Sequence, residues 1–332
     1  MTWIVTGGAG YIGAHIATAM RLGGEDVVVL DDLSTGDAAR LPGIEVVVGS
    51  ILDGDLLERT LRAHDVRGIV HVAAKKQVGE SVDRPLFYYE QNVEGLRVLL
   101  AAAAAADVES FLFSSSAAVY GSPDVDLVDE ATPCSPVNPY GTTKLVGEQM
   151  IADVAHATGL RFANLRYFNV AGAASPELAD VGVTNLVPMV FQQLARRQAP
   201  RIFGEDYDTP DGTCIRDFVH VSDIASAHVA AARALAGGTV SELTANIGRG
   251  EGVSVREMVA TIRAVTGTAD QPWAEPVVEP RRAGDPARVV ASAKKIEAEL
   301  GWTAQWDVAA MVRSAWAGWV HRDPSLLELS EK

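Results

Sequence analysis

The amino-terminal segment limits the fold more than any other feature, because a glycine-rich turn there joins an apolar strand to a helix. Residues 3–7 (WIVTG) have the pattern of a buried β-strand, and residues 11–23 that of a helix. Between them, Gly7, Gly10 and Gly13 form a G-x-x-G-x-x-G pattern. A strand, a tight glycine turn and a helix in this order begin a βαβ unit, which predicts a parallel sheet.

Strand-like apolar runs and helical patterns continue to alternate through the first half of the 332-residue chain. The further predicted strands are 26–31, 45–49, 68–74, 110–116 and 161–170, and the predicted long helices are 85–106 and 140–158. Continuous apolar strands separated by helices predict a parallel sheet that is covered on both faces. Right-handed crossovers then make this a Rossmann-like, doubly wound α/β fold.

After residue 170 the pattern changes to loops rich in proline, glycine and charge, with shorter helical segments. These helical segments lie near 186–198, 222–236, 254–266 and 307–320. The change predicts a first domain over residues 1–170 that has further core segments near 205–248. A smaller, mixed C-terminal lobe over 171–332 is expected to be interleaved with it.

The composition limits which classes of partner and which cellular compartment are expected for this protein. The formal net charge is −15, which argues against a nucleic acid or an anionic membrane as the main partner. Cys134 and Cys214 lack metal-site spacing and are expected to be free thiols in a reducing environment. There is no signal-peptide pattern and no apolar run of membrane-spanning length, so we expect a cytoplasmic protein.

The glycine turn has the chemistry of a phosphate-binding loop. Glycines let backbone N–H groups approach a pyrophosphate, and the following helix presents its positive end. Asp31 ends the second strand, 18 residues after Gly13, where a carboxylate can bind the adenosine ribose and repel a 2′-phosphate. This favours NAD over NADP. The alternative is a turn cap, although Asp32 and Ser34 suit that role better.

The segment NPYGTTK places a tyrosine and a lysine one helical turn apart. Asn138 suits a helix cap and Pro139 a first turn, so Tyr140 and Lys144 share one face of the helix. A free tyrosine titrates near pH ~10, but a nearby ammonium stabilises the phenolate and makes proton exchange with an alcohol feasible. The ordinary alternative is a tyrosine that packs on a lysine stem.

Three serines, Ser114, Ser115 and Ser116, stand at the carboxyl end of the fifth predicted strand. Ligands of open α/β sheets bind at this edge, so the Ser116 hydroxyl could hold the substrate oxygen that Tyr140 deprotonates. A polar strand end is the alternative interpretation. The glycine turn, the strand-end serine and the Tyr-x-x-x-Lys pair, in this order, are more specific than any one of them.

With these motifs the chain resembles the extended short-chain dehydrogenase/reductase superfamily and, within it, the UDP-glucose (UDP-galactose) 4-epimerase family. The matching segments are TGGAGYIGAH, DDLSTG, AAKKQVGESVDRPLFYYEQNVEG, FSSSAAVYG, NPYGTTK, RYFNVAGA, IFGEDYDTPDGTCIRDFVHVSD, NIGRGEGVSV and RRAGDPAR. They extend over almost the whole chain, and several fall in the second lobe. The resemblance therefore implies a substrate class as well as a cofactor.

The resemblance implies that NAD stays bound while UDP-galactose and UDP-glucose interconvert at carbon 4 through a transient 4-keto sugar. Tyr140 would exchange the proton of the 4-hydroxyl, and Ser116 would bond the reacting oxygen. Lys144 would hold the nicotinamide ribose and lower the proton affinity of the tyrosine. A firm grip on the nucleotide and a loose one on the hexose would let the intermediate rotate.

The resemblance also implies two sets of contacts. Those to the cofactor are Gly7, Gly10, Tyr11, Ile12, Gly13, Asp31, Asp32, Ser50, Ile51, Lys76 and Asn92, with Tyr140 and Lys144. Those to the substrate are Ser116, Asn169, Asn185, Leu186, Phe203, Arg216, Arg282, Asp285 and Val289.

Within the substrate set, Arg216 and Arg282 match diphosphate ligands, Asp285 a uridine-ribose partner and Phe203 a uracil neighbour. Without the resemblance, an Arg216–Asp217 surface ion pair and a solvated RRAGD loop would be the simpler interpretations.

Two positions differ from relatives of this kind. Ser50 stands where many carry an aspartate that reads the adenine amino group, so an adenine contact there is an open question. Val289 stands where some carry a bulky tyrosine that closes the sugar pocket. Valine leaves room for an N-acetyl group, which suggests UDP-GlcNAc and UDP-GalNAc as further substrates.

Several alternatives stay open. A UDP-glucuronate 4-epimerase or another nucleotide-sugar enzyme of the superfamily differs in only a few pocket residues, although the Thr-Asp-Glu of dehydratases is absent at Ser116-Ala117-Ala118. A non-catalytic NAD-binding regulator is a more distant alternative. The helix over 85–106 and the Tyr140 helix resemble a dimer-forming pair, so a homodimer is expected. His71 and His220 are expected to be packed or capping residues.

Overall fold

The computed structural model describes residues 1–282 and 284–330; Ala283 of the RRAGDPAR segment and the last two residues of the predicted C-terminal lobe lie outside this range. The strands are β1 Thr2–Thr6, β2 Asp26–Asp31, β3 Glu45–Val48, β4 Val66–His71, β5 Ser110–Ser116, β6 Arg161–Tyr167, β7 Asn169–Ala171, β8 Arg201–Phe203, β9 Ile215–His220, β10 Glu242–Ile247, β11 Gly252–Ser254, β12 Val277–Glu279 and β13 Arg288–Val289.

The α-helices are α1 Tyr11–Leu22, α2 Gly54–Ala63, α3 Val78–Asp83, α4 Pro85–Tyr88, α5 Gly95–Ala105, α6 Pro139–Thr158, α7 Leu186–Ala195, α8 Val221–Ala236, α9 Val255–Val265, α10 Lys294–Leu300 and α11 Val308–Arg322. Between α4 and α5 the chain continues as a π-helical turn, Tyr89–Glu94. Among the described residues, no helix is both long and apolar enough to cross a membrane.

Seven parallel strands form the main sheet in the order β10-β6-β5-β4-β1-β2-β3. The strand order reverses between β1 and β4, and this topological switch point is where open α/β sheets bind ligands. The arrangement confirms the Rossmann-like doubly wound fold.

Alternation along each strand builds a core on both faces of this sheet. Trp3 and Val5 face α1 and α8, whereas Ile4 between them faces α2 and α5. Both faces need apolar side chains, which explains why the strands read as continuous apolar runs. The chain returns to this sheet late, since α8 packs on α1 and β10 forms an edge next to β6.

The predicted strand 161–170 is two strands, which corrects the sequence-based interpretation. β6 ends at Tyr167 in the main sheet, and β7 begins at Asn169 in a second sheet with β9, β11 and β13. The intervening Phe168 therefore marks the crossing between the lobes. Apolar periodicity could not reveal it, because a strand that changes sheets keeps the same alternation.

The second lobe has its own core. Phe191 of α7, Met258 of α9 and Trp316 of α11 are buried together, and the Phe191 and Trp316 ring centroids are 5.0 Å apart. β8 and β12 form a short parallel pair at its edge. This lobe stands over the carboxyl ends of the main-sheet strands, and a cleft between the two lobes follows from that placement.

Candidate active site

A cleft of about 1480 Å³ extends from the glycine turn, past the ends of β5 and α6, into the second lobe. It is lined by every residue that the sequence analysis proposed for the site except Asn92. Residues that are far apart in the sequence therefore share one cavity, as binding of a cofactor beside a substrate requires.

The glycine turn leaves room for a phosphate group only because side chains are missing. Gly7 has φ +70°, and a Cβ added there would lie 2.6 Å from the Ala73 backbone. A Cβ on Gly13 would lie 2.1 Å from the Gly7 carbonyl oxygen. Gly10 caps α1 without a side-chain hydrogen bond, so no side chain of the cap covers the helix N-terminus. This cradle fits a dinucleotide pyrophosphate.

Asp31 lies at the cleft and also fixes the turn. One carboxylate oxygen accepts a hydrogen bond from the Ala9 amide at 2.9 Å, and the other accepts one from the Leu33 amide at 2.8 Å. The neighbouring Asp32 accepts bonds from both the amide and the hydroxyl of Ser34. Asp31 is thus held rigidly with lone pairs left for ribose hydroxyls, and Asp32 is the turn cap of this loop.

The β3–α2 connection forms a further wall of the cleft. Ile51 packs so closely on Gly95 that a Cβ there would meet its side chain at 2.5 Å. The Ser50 hydroxyl accepts a bond from the Leu52 amide and lines the cavity. Ile51 therefore supplies the apolar surface, and Ser50 offers a hydroxyl beside it.

Asn92, a predicted cofactor contact, lies next to the cleft and bonds a residue that lines it. It is buried in the π-helical turn, where it accepts a bond from the Lys75 amide at 2.8 Å and donates to the Lys75 carbonyl and to Thr143. Its side chain therefore ties the loop that carries Lys76 to α6, and Lys76 itself lines the cleft. π-helical turns of this kind often lie at functional sites.

The N-terminus of α6 forms the centre of the cleft. Asn138 caps it by accepting a bond from the Gly141 amide at 2.9 Å, and Tyr140 and Lys144 follow on one buried face. The Lys144 ammonium donates to the Ser114 carbonyl at 2.7 Å and lies 4.6 Å from the Phe113 ring centroid. The lysine is therefore fixed to the end of β5.

The protonation equilibria follow from this burial. Burial raises the pKa of the Tyr140 phenol above its ordinary value, and a hydrogen bond with Ser116 opposes the rise. Burial lowers the pKa of Lys144 to about 7, and the negative charge of Glu148 opposes the fall. The two groups thus lie in a dry environment where a nearby charge has a large effect on proton transfer.

The substrate residues of the second lobe are arranged more openly. The Arg282 guanidinium carbon lies 3.8 Å from the Phe203 ring centroid, and Arg216 lies 3.6 Å from the Asp285 carboxylate. Asp217 does not pair with Arg216; its carboxylate accepts bonds from the backbone amides of the 249–250 loop and of residue 291. The surface-pair interpretation of Arg216 is therefore wrong.

The remaining predicted substrate residues line the walls between these parts. Asn185 precedes α7 and donates to the Asp180 carboxylate at 2.9 Å, and Leu186 is the first residue of that helix. Asn169 opens β7, and Val289 ends β13 and packs near Phe168.

The cleft also includes residues that no sequence motif had indicated as part of the site. Lys75 donates to the Ser34 hydroxyl at 3.1 Å, and Phe168 lines the cavity at the strand crossing. Arg40 donates to the Ala179 carbonyl across the two lobes. The lysine pair in AAKK was a signal for Lys75, whereas Arg40 and Phe168 depend on how the lobes meet.

Both histidines are structural, as predicted. His71 bonds the Thr6 hydroxyl at 2.7 Å inside the sheet, and His220 caps α8 by accepting a bond from the Ser222 amide.

Comparison with known proteins adds a family to this geometry. A profile of the NAD dependent epimerase/dehydratase family matches residues 3–248. The UDP-glucose 4-epimerase of Azospirillum brasilense is 45% identical over 318 residues, covering 94% of this chain and 90% of that protein.

Solved structures give the same result. The crystal structure of UDP-glucose-4-epimerase from Stenotrophomonas maltophila, with bound NAD and formylated UDP-arabinopyranose, superposes with a TM-score of 0.92 at 38% identity. It covers 98% of this chain and 99% of its own. The UDP-Glc/GlcNAc 4-epimerase of Campylobacter jejuni has a TM-score of 0.83 at 34% identity, covering 96% of this chain and 98% of its own.

Proposed function

The chain belongs to the NAD dependent epimerase/dehydratase family, and we propose that it performs the reaction of its UDP-glucose 4-epimerase relatives. That reaction is the reversible, NAD-dependent epimerisation of UDP-galactose to UDP-glucose at carbon 4. The observation that best supports this proposal is that the glycine cradle, the Tyr140–Lys144–Ser116 group and the arginines of the second lobe line one cleft.

The glycine turn, Asp31 and the wall at Ile51 would hold NAD, which would supply the hydride acceptor and donor for the reaction. The chain's own work is to move the proton. Tyr140 takes the proton of the sugar 4-hydroxyl and later returns it, and Ser116 orients the same oxygen. A positive charge near Tyr140 is required, because burial alone disfavours its phenolate.

The second lobe holds the nucleotide. The planar guanidinium groups of Arg216 and Arg282 suit the diphosphate oxygens, and Asp285 beside Arg216 suits the ribose hydroxyls. Phe203 offers an aromatic face for the uracil, which requires Arg282 to leave its stacked position. When the nucleotide binds, the uracil would therefore replace Arg282 on the Phe203 ring, and Arg282 would turn to the diphosphate.

N-acetylated UDP-sugars are further proposed substrates, and Val289 is the residue on which this depends. Its side chain lines the cleft and is shorter than an aromatic one by several atoms. We expect turnover of UDP-GalNAc, and we expect Val289→Tyr to lower it about tenfold or more while UDP-galactose turnover changes little. Failure of the unaltered enzyme to convert UDP-GalNAc, where UDP-galactose reacts, would contradict this.

A homodimer is also proposed, through the helices that precede and include α5 and the adjacent α6. Leu86 is 82% exposed and Tyr89 38% exposed on the same side of that segment, which is costly for a monomer. Sedimentation analysis should give twice the chain mass, and Leu86→Lys should shift the equilibrium toward monomer.

The free thiols Cys134 and Cys214 fit a reducing compartment, and we propose that the enzyme acts in the cytoplasm.

The direct test is to incubate purified protein with UDP-galactose and no added NAD, and to follow the anomeric protons by NMR. Conversion to UDP-glucose would establish an epimerase that carries its cofactor. Conversion of UDP-glucuronate alone would favour the uronate epimerase. No conversion of any UDP-sugar, even with NAD supplied, would favour the non-catalytic regulator.

A further inference from the structure

Glu148 is a buried acid one helical turn beyond Lys144, and neither proton transfer nor nucleotide binding as proposed above uses it. Tyr140, Lys144 and Glu148 follow one another at intervals of four residues along α6, and all three are buried. Spacing of this kind places them on one face of the helix. A buried carboxylate is costly unless hydrogen bonds and an opposite charge compensate it, so its contacts are informative.

Those contacts join α6 to two neighbouring strands. The Glu148 carboxylate accepts a 2.5 Å hydrogen bond from the Ser115 hydroxyl on β5. It also accepts bonds from Arg166 on β6, at 2.9 Å from Nε and 2.5 Å from Nη2. Ser115 lies between the residue whose carbonyl holds Lys144 and the catalytic candidate Ser116. The carboxylate thus fixes the helix that carries the base to the strand that carries its partners.

Arg166 is itself held from behind, so the carboxylate is fixed in place. Its Nη1 donates to the Tyr120 hydroxyl at 2.8 Å, and Tyr120 donates to Asn246 at 2.7 Å. The Asn246 side chain donates in turn to the Val128 carbonyl at 2.9 Å. The network crosses three strands, and all three guanidinium nitrogens of Arg166 donate hydrogen bonds within it.

Glu148 is the negatively charged group that acts on Lys144, since the other groups facing the lysine carry no negative charge. On β5 they are the Ser114 carbonyl and the Phe113 ring, and on β4 it is His71 behind that ring. Burial together with Lys144 lowers the pKa of His71 to about 3, so His71 is neutral in the working pH range. The Tyr140 phenol precedes Lys144 on α6.

We propose that Glu148 is a positioning residue for the reaction: its fixed negative charge keeps Lys144 protonated, and its bond to Ser115 holds α6 in register with the catalytic serine. This inference rests on the proposed roles of Tyr140, Lys144 and Ser116. Arg166 then has the opposite electrostatic effect, since its charge offsets that of Glu148. A purely structural ion pair would show no such opposition of signs.

The test compares pH profiles of kcat for the holoenzyme with UDP-galactose. Glu148→Gln keeps the size of the side chain but removes its charge, so the limb on which kcat falls with rising pH should move down by about one unit. That is a tenfold loss on the limb. Arg166→Gln should leave the limb in place or move it up. The exposed pair Glu58–Arg62 supplies a control, Glu58→Gln, with an unchanged profile.

Thermal midpoints are recorded for each variant, because removing one partner of a buried pair also destabilises the fold. If Glu148→Gln does not fold, the double variant Glu148→Gln/Arg166→Met leaves no unpaired buried charge. Its limb should move down by less than one unit, because loss of the Arg166 charge offsets part of the effect of losing the Glu148 charge. Limbs unchanged in every folded variant, or moved in the same direction by the two single substitutions, would overturn the inference.

Failure of this inference is distinguishable from failure of the proposed function. If the unaltered protein converts no UDP-galactose, the proposed function fails. If it does convert UDP-galactose but the limbs do not differ, the function stands and the role of Glu148 falls.

Discussion

The two sides of the cleft differ in how deeply their functional side chains are buried and how firmly hydrogen bonds hold them. At the end of β5 and the start of α6, Tyr140 is 8% exposed and Lys144 3%, and the lysine is fixed by a short hydrogen bond. Across the cleft, Asp285 has a side chain 39% exposed and Arg282 lies on an exposed loop. One side is assembled before any ligand binds, whereas the other carries charged groups that are partly exposed to solvent.

The difference shows that the groups proposed for proton transfer are held more rigidly than those proposed for nucleotide binding. Proton transfer depends on positions within fractions of an ångström, so its groups are pre-organised by packing and hydrogen bonds. A nucleotide diphosphate can instead be captured by long side chains that close on it, at a cost in side-chain entropy. Under the proposed function, this division would leave a hexose between the two sides free to rotate.

The largest effect is expected on the rigid side. Tyr140→Phe keeps the buried ring but removes the proton-transferring hydroxyl, so kcat should fall about 10²- to 10⁴-fold with KM changed little. Bound NAD, measured by absorbance after denaturation, should be retained. Tyr89→Phe, at a position 38% exposed outside the cleft, is the matched control. A loss of kcat below tenfold for Tyr140→Phe would mean that another group moves the proton.

A smaller effect, in a different parameter, is expected on the open side. Arg282→Ala removes a guanidinium proposed to bond the diphosphate, so KM for UDP-galactose should rise about 10- to 100-fold with kcat within a few-fold. Its neighbour Arg281 bonds Asp206 and stacks on Tyr207 instead, so Arg281→Ala should leave KM nearly unchanged. Equal effects of the two substitutions would break the contrast between the sides.

The last effect concerns stability in acid instead of turnover, and four buried histidines cause it. Burial lowers the pKa of His71 to about 3 and that of His15, His220 and His228 to about 4. They stay neutral when folded but protonate when unfolded, so each can remove up to about 1.4 kcal/mol of stability per pH unit as pH falls below 6.5. Burial raises the pKa of Asp217 to about 6, which offsets part of this loss.

The measurement is the thermal midpoint of the holoenzyme at pH 7.5, 6.5 and 5.5, which should fall most over the last step. His156→Gln, at an exposed position of α6, is the control and should keep the same slope. A midpoint that is constant between pH 6.5 and 5.5 would contradict the burial of these four histidines.

Much of the fold could be predicted because it depends on short-range physics. The apolar runs, the glycine turn and the Asn-Pro helix start are read from neighbouring residues, and they correctly gave the Rossmann-like sheet and α6. The same reasoning failed at Phe168, where one predicted strand crosses from one sheet to another. It also could not show that the Asn92 side chain bonds the backbone of Lys75, because that contact depends on the tertiary structure.

By itself, the sequence determined that Tyr140 and Lys144 share a helix face and that three serines end a strand, since helical and strand periods are local. Only the tertiary structure decided that Ser115 and Arg166 clasp Glu148, that Arg282 rests on Phe203, and that Asp217 serves loops instead of Arg216. These pairings depend on which strands become neighbours and how two lobes meet. Long-range packing sets both, and no local pattern encodes them.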